Sequence, residues 1–302
     1  MLAGSALPVH LSTMTAAPCP LACAQTARDL VAGLAVTRLD LQCEADPRLD
    51  TDFELVARLR GAWGHALRAA AAAGQPEAIR AHALFFPDKI GGAGHAGPPY
   101  RIAARIEGGR FHVTLMLIGF AGRWRDAAFE AMIAALTTPP GLLLDRRNGR
   151  RAPLRLVSAN WTRSEGVEPP EPARAVVLEF HTPLMLGPSG VLGSAFDDIL
   201  VGLADRAAQM EPWIGLRFEP RLSWWRDRAR ALSYDCNSLR PVTWDMYSSV
   251  NGRTKASGYV GRLAVTGADE EVLALLAAGT VLHAGGSVSK GCGRYDLYPR
   301  PW

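Results

Sequence analysis

Lysine is scarce in this chain of 302 residues: only Lys89, Lys255 and Lys290 occur, and the other thirty of the 33 Lys plus Arg cations are arginine. Arginine forks onto phosphates and stacks on bases, so the bias suits RNA, although a GC-rich coding sequence produces the same bias without function. Cysteine is equally thin. The five cysteines (Cys19, Cys23, Cys43, Cys236, Cys292) make no CxxC pair and are odd in number, which argues against a zinc site or disulfide framework and makes a reducing cytoplasm the simplest location. No run of 18 apolar residues exists, so no membrane span or membrane partner is expected. The GxxxxGK[ST] loop of nucleotide triphosphatases is missing, and no GxGxxG follows a first strand. No His, Asp and Glu constellation has metal-ligand spacing, so neither a metal nor a cofactor is expected. The net charge of +4 is mildly basic, not that of a polycation.

What is present is a repeated order of elements. Residues 1–27 lack the basic start and unbroken apolar core of a signal peptide, and read as a disordered tail or an overlong start with Met14 as the alternative. "LAVTRLDLQCE" alternates as a strand, and "DFELVARLRGAWGHALRAAAAAG" follows as a helix with Leu55, Leu59, Trp63, Ala66 and Leu67 on one face and Gly74 as its stop. "AIRAHALFFP" reads as a short strand, "PYRIAARIEGGRFHVTLMLIGF" as a hairpin, "WRDAAFEAMIAAL" as a helix and "APLRLVSANW" as a strand. After a proline-rich linker the order returns: "RAVVLEFHTPLML" as a strand, "SAFDDILVGLADRAAQM" as a helix, "SWWRDRARALSY" as an inserted helix or strand edge, and a hairpin turning near Asn251–Gly252. "DEEVLALLAAGTVLHAG" then reads as a helix and "GCGRYDLY" as a closing strand. The expected fold is α+β, with tandem ferredoxin-like βαββαβ domains. The domains are expected at 28–163 and 175–302, with a linker at 164–174, a helical insertion near 190–235 and a C-terminal glycine-rich loop.

That loop, "HAGGSVSKGCGRY", combines four glycines with Lys290 and Arg294. Glycine serves a tight turn as well as a backbone surface for phosphate. With the duplicated order around it, the phosphate surface becomes the better reading.

Three stretches resemble the CRISPR-associated RAMP superfamily, above all its pre-crRNA-processing endoribonucleases. "SGYVGRLAVTGADEEVLALLAAGTVLHAGGSVSKGCGRYDLY" is similar to the C-terminal signature, with Gly258, Gly261, His283, Gly285, Gly291, Gly293, Arg294 and Tyr295 in its positions. "LRGAWGHALR" resembles the early helix, and "PPYRIAARIEGGRFHVTLMLIGFAG" the central hairpin. Two positions depart from the signature: Gly286 stands where Lys or Arg is frequent, and Lys290 replaces an apolar or aromatic residue. The resemblance implies metal-independent cleavage of CRISPR repeat RNA, in which a ribose 2′-hydroxyl attacks the adjacent phosphorus. It also implies crRNA as the retained partner and other CRISPR effector subunits as further partners.

The resemblance places a catalytic histidine on the first helix, and His65 stands there among Arg58, Arg60 and Arg68. A neutral imidazole can take a proton near pH 7, and neighbouring cations keep it neutral. A histidine that merely packs or caps the helix is the competing reading. Some relatives rely on arginine, which would make Arg58 and Arg60 the active groups. RNA-binding candidates are Arg253 and Lys255 past the second hairpin turn, and His283, Gly285, Gly286, Lys290, Gly291, Gly293 and Arg294 in the loop. His283 also reads as a structural helix-end residue. The leading expectation is an endoribonuclease that leaves a 2′,3′-cyclic phosphate; the alternatives are a non-catalytic crRNA-binding subunit and a metabolite-binding module.

Overall fold

The computed structural model describes residues 22–24, 26–87, 97–145, 148–169, 171, 175–186, 195–248 and 252–299. The fold is mixed α+β with antiparallel sheets, compatible with paired ferredoxin-like units.

The N-terminal unit contains β2 (Val36–Glu44), α2 (Leu55–Ala72), α3 (Pro76–Phe85), β3 (Tyr100–Glu107), β4 (Arg110–Ile118), α4 (Arg125–Thr137) and β7 (Leu156–Ser164). Its strands lie in the order β3-β4-β2-β7. Alternation decides the faces: Leu39, Leu41 and Cys43 are buried, while Arg38 is exposed and Asp40 and Gln42 are half-buried on the other face. Gly108 and Gly109, both at positive φ, close the β3–β4 hairpin as its sequence predicts. Leu55, Leu59, Trp63 and Leu67 form the buried stripe of α2, each contributing roughly 1.5–3 kcal/mol by burial. The Trp63 indole donates to the Ala128 carbonyl at 2.9 Å and packs on Phe85, Phe86 and Tyr100.

One local expectation is corrected, one pair of alternatives is resolved, and one element is new. "AIRAHALFFP" is helical, not a strand: Pro76 opens α3, and Ala78, Ala81 and Phe85, at helical spacing, are buried. "SWWRDRARALSY" divides into a helix, α7 (Leu222–Ala231), and a short strand, β10 (Ser233–Asp235). A two-stranded ribbon of β5 (Leu142–Asp145) and β6 (Arg150–Ala152), not foreseen, precedes β7.

In the C-terminal unit, β8 (Ala175–Leu184) lies between β12 (Gly252–Thr266) and β13 (Tyr295–Pro299). β11 (Leu239–Ser248) and β10 pair with successive stretches of β12. Between β8 and β10 run α5 (Ala195–Gln209), α6 (Glu211–Ile214), β9 (Leu216–Phe218) and α7. Helix α8 (Glu270–Leu282) begins at Asp269, whose side chain caps the Val272 amide at 3.0 Å. Val272 to Gly279 are buried without a break, so α8 must be covered on all sides. Part of that cover is α1 (Ala27–Gly33): Ala27, Leu30 and Val31 belong to the C-terminal core, although α1 precedes β2 in the chain. β1 (Ala22–Ala24) likewise pairs in parallel with β9.

Candidate functional site

His65 lies on the solvent side of α2, exposed, over a groove between α2 and α4 of about 590 Å³. Its walls are Ala62, Ala66 and Ala69 from α2, Ala134 from α4 and Pro139–Pro140. Alanine-rich faces leave the two helices close yet hollow. Among the lining residues, His65 and Arg151 are the ionisable ones. Arg68, one turn from His65, is exposed but does not line the groove.

Arg58 does not join this groove. Its guanidinium turns back to the loop before α2, pairing with Asp52 at 2.9 Å and donating to the Asp50 carbonyl, and its side chain is buried. The Arg60 Nε donates to the Tyr100 hydroxyl at 2.6 Å, with the guanidinium over the Phe86 ring at 5.1 Å. Helical spacing had aligned Arg58 with His65; the tertiary partners of both arginines draw them elsewhere. Arg151, which does reach the groove, comes from the unforeseen ribbon.

The glycine-rich loop packs inward. An added Cβ at Gly291, which has positive φ, would lie 2.6 Å from Val56 of α2, and one at Gly293 would strike the Ala284 carbonyl. Both glycines are buried, Gly285 is half-buried against the Met185 carbonyl, and Gly286 is exposed. Gly291 lets the two units approach closely, while Gly285 and Gly293 fit against the backbone of their own unit. Lys290 and Arg294 are half-buried. Lys255 is exposed on β12, and Arg253 stands opposite Tyr247 in the β11–β12 register.

His283 is corrected as an RNA contact. It is fully buried, and its backbone sits at φ 60, ψ 155, a region costly for any residue but glycine. Burial, reinforced by Arg101, Arg294 and Arg206, holds its pKa well below the usual histidine range, so the ring is neutral. Around it, Arg101 of β3 donates to the Leu282 carbonyl at 2.9 Å, and Arg206 of α5 donates to the carbonyls of His283 and Gly285. The two guanidiniums satisfy the exposed carbonyl end of α8 and suit its negative dipole. Burial depresses them to about 9 for Arg101 and about 10 for Arg206, values that leave both charged at neutral pH.

Sequence reasoning passed over a cavity of about 230 Å³ where the units meet. His181 of β8 lines it together with Phe53, Arg105 and Ile106. The His181 Nε2 lies 2.8 Å from Asp296 Oδ2, and Tyr298 donates to the same oxygen at 3.1 Å. The alternation of "EFHTP" and "RYDLY" could have shown that Glu179 shares a face with His181, and Arg294 with Asp296 and Tyr298. The β8–β13 register that joins these faces was not visible. His95 and His10 lie outside the described residues. Among the described residues, no group of three or more His, Cys, Asp or Glu side chains is placed to hold a metal ion, and no helix is long and apolar enough to cross a membrane.

No family model and no curated protein matches the sequence. Solved structures do match the fold. A Cas6 product complex is 17% identical with a TM-score of 0.53, covering 88% of this chain and 100% of its own. A second Cas6 product complex is 15% identical at 0.52, covering 88% and 99%. A Cas6 substrate-mimic complex is 17% identical at 0.51, covering 87% and 99%. Over 88% of its length, this chain has a fold similar to that of these Cas6 proteins.

Proposed function

We propose that the protein is a metal-independent endoribonuclease that cuts CRISPR repeat RNA, built on tandem ferredoxin-like domains. The observation that carries the reading is the likeness, over 87–88% of the chain, to Cas6 structures solved with product and substrate mimic, joined to an exposed histidine on the first long helix.

His65 acts as the general base. Its imidazole removes the proton of the 2′-hydroxyl preceding the scissile phosphate; the O2′–P bond forms and the P–O5′ bond breaks. Water protonates the leaving 5′-oxygen, and the products are a 2′,3′-cyclic phosphate and a 5′-hydroxyl. Arg151, on the same groove, supplies positive charge for the phosphorane. Arg58 and Arg60 are occupied in holding α2, which favours histidine over arginine as the reacting group. Lys255, Lys290, Arg294 and exposed Gly286 offer contacts to the RNA backbone, and the cleaved crRNA remains bound.

The test is incubation of the purified protein with its own repeat RNA in EDTA. Cleavage at one bond is expected, and none when the nucleotide before that bond carries 2′-deoxyribose. Cutting of the deoxy substrate at the same bond, or tight binding without cutting, overturns the reading.

A further inference from the structure

The cavity between the units carries chemistry that the His65 groove does not use. Asp296 fixes His181 through Nε2, so with the carboxylate ionised that nitrogen holds the ring proton and Nδ1 is left as an acceptor. A lone acceptor beside a solvent-reaching cavity suits a hydroxyl donor. The cavity, about 230 Å³, is smaller than the ~300–1,000 Å³ of a drug-sized ligand site, so it takes a group of one ring's size and not an RNA stem. Phe53, held edge-on by Trp244 at 5.7 Å, gives it an aromatic wall, and Ile106 gives a second apolar surface.

Charge completes the site. Arg105 lines the cavity and uses its Nε on Glu107 at 3.0 Å, keeping its terminal nitrogens for other acceptors. Among the lining residues Arg105 is the one arginine; Arg294, half-buried in the closing loop, lies outside the cavity wall. A guanidinium with its terminal nitrogens available suits a phosphate oxygen.

We propose that this cavity holds the base of one unpaired ribonucleotide of an RNA strand against Phe53, with the sugar and phosphate at its mouth, the phosphate on Arg105 and the 2′-hydroxyl donating to Nδ1 of His181. Asp296 is a positioning residue that sets the tautomer. The inference rests on the proposed RNA substrate but not on cleavage. Val56 and Gly291 place the cavity at the start of α2, whereas His65 lies nine residues on, about 13 Å at helical rise. The two histidines thus serve different nucleotides.

The experiment titrates full-length protein, in EDTA, with a short oligouridylate and its 2′-deoxy counterpart. Wild type is expected to bind the ribo form roughly 5–10-fold more tightly, the effect of one hydrogen bond. His181→Ala and Asp296→Asn should each bring that ratio to about 2-fold or less while leaving the deoxy affinity unchanged. Arg105→Ala should weaken both oligomers equally. If His181→Ala does not fold, His181→Gln and Asp296→Asn read the same ratio. Equal binding of the two oligomers by wild type, or a ratio untouched by these variants, overturns the proposal. Repeat-RNA cleavage, scored separately, would then still stand.

Discussion

Gly291 and Val56 are in direct apposition: the glycine of the closing loop, buried and at positive φ, rests on the second residue of α2. Gly291→Ala must therefore both strain the backbone and push Val56 aside. A loss of roughly 1–3 kcal/mol is expected, read from urea unfolding, with a rescue by the double variant that also carries Val56→Ala. No rescue would mean that backbone strain alone sets the cost.

Loss of His65 should separate chemistry from binding. His65→Ala is expected to slow cleavage by roughly 100-fold or more and to leave RNA affinity near wild type, because a neutral imidazole contributes little to phosphate attraction. Single-turnover kinetics beside equilibrium binding checks both. A variant that cuts at the normal rate removes His65 from the mechanism.

Arg151→Ala should lower the cleavage rate by roughly 10- to 1000-fold while His65 remains in place, since it takes away charge from the same groove. Lys290→Ala and Arg294→Ala should act differently, weakening binding and flattening its dependence on salt. Titrations at several salt concentrations distinguish a phosphate contact from a residue that only shapes the loop.

His283 gives a prediction about pH. Its folded pKa is depressed by burial and by Arg101, Arg294 and Arg206, so below the unfolded value of 6.5 the unfolded chain binds a proton that the native chain refuses. Stability then rises with pH through that value and is lost below it. Between pH 7.5 and 5.5 wild type should lose about 1 kcal/mol more than His283→Gln. Equal losses would show that the ring titrates in the folded protein as it does in the unfolded chain.

Much of the fold was legible because periodicity reports burial. The stripe of α2, the Gly108–Gly109 hairpin and the all-round apolar α8 follow from residue order alone. The α3 segment misled because Phe85, Phe86 and a spaced apolar pattern suit a short strand as well as a helix, and packing on Trp63 decided between them. Within the site, the helix bearing His65 could be found by spacing. Arg151 could not, because it reaches the groove through a ribbon pairing. Nor could the His181–Asp296 pair, which depends on two strands 115 residues apart meeting in one register.

The position of α1 has a consequence for synthesis. Its first amide, at Ala27, donates to the Glu271 carboxylate, 244 residues later. At a ribosomal rate of ~5–20 residues per second, that acceptor emerges roughly 12–50 s after the helix does. Until then α1 lacks the apolar face of α8, and seven residues are too few for a stable free helix. The N-terminal sheet can close first, since its strands all fall before residue 165, and α1 is latched only once α8 has emerged. Extensions attached before residue 27 would hang on a segment that docks late, and crowding there should slow completion of the C-terminal core while sparing the sheet already formed.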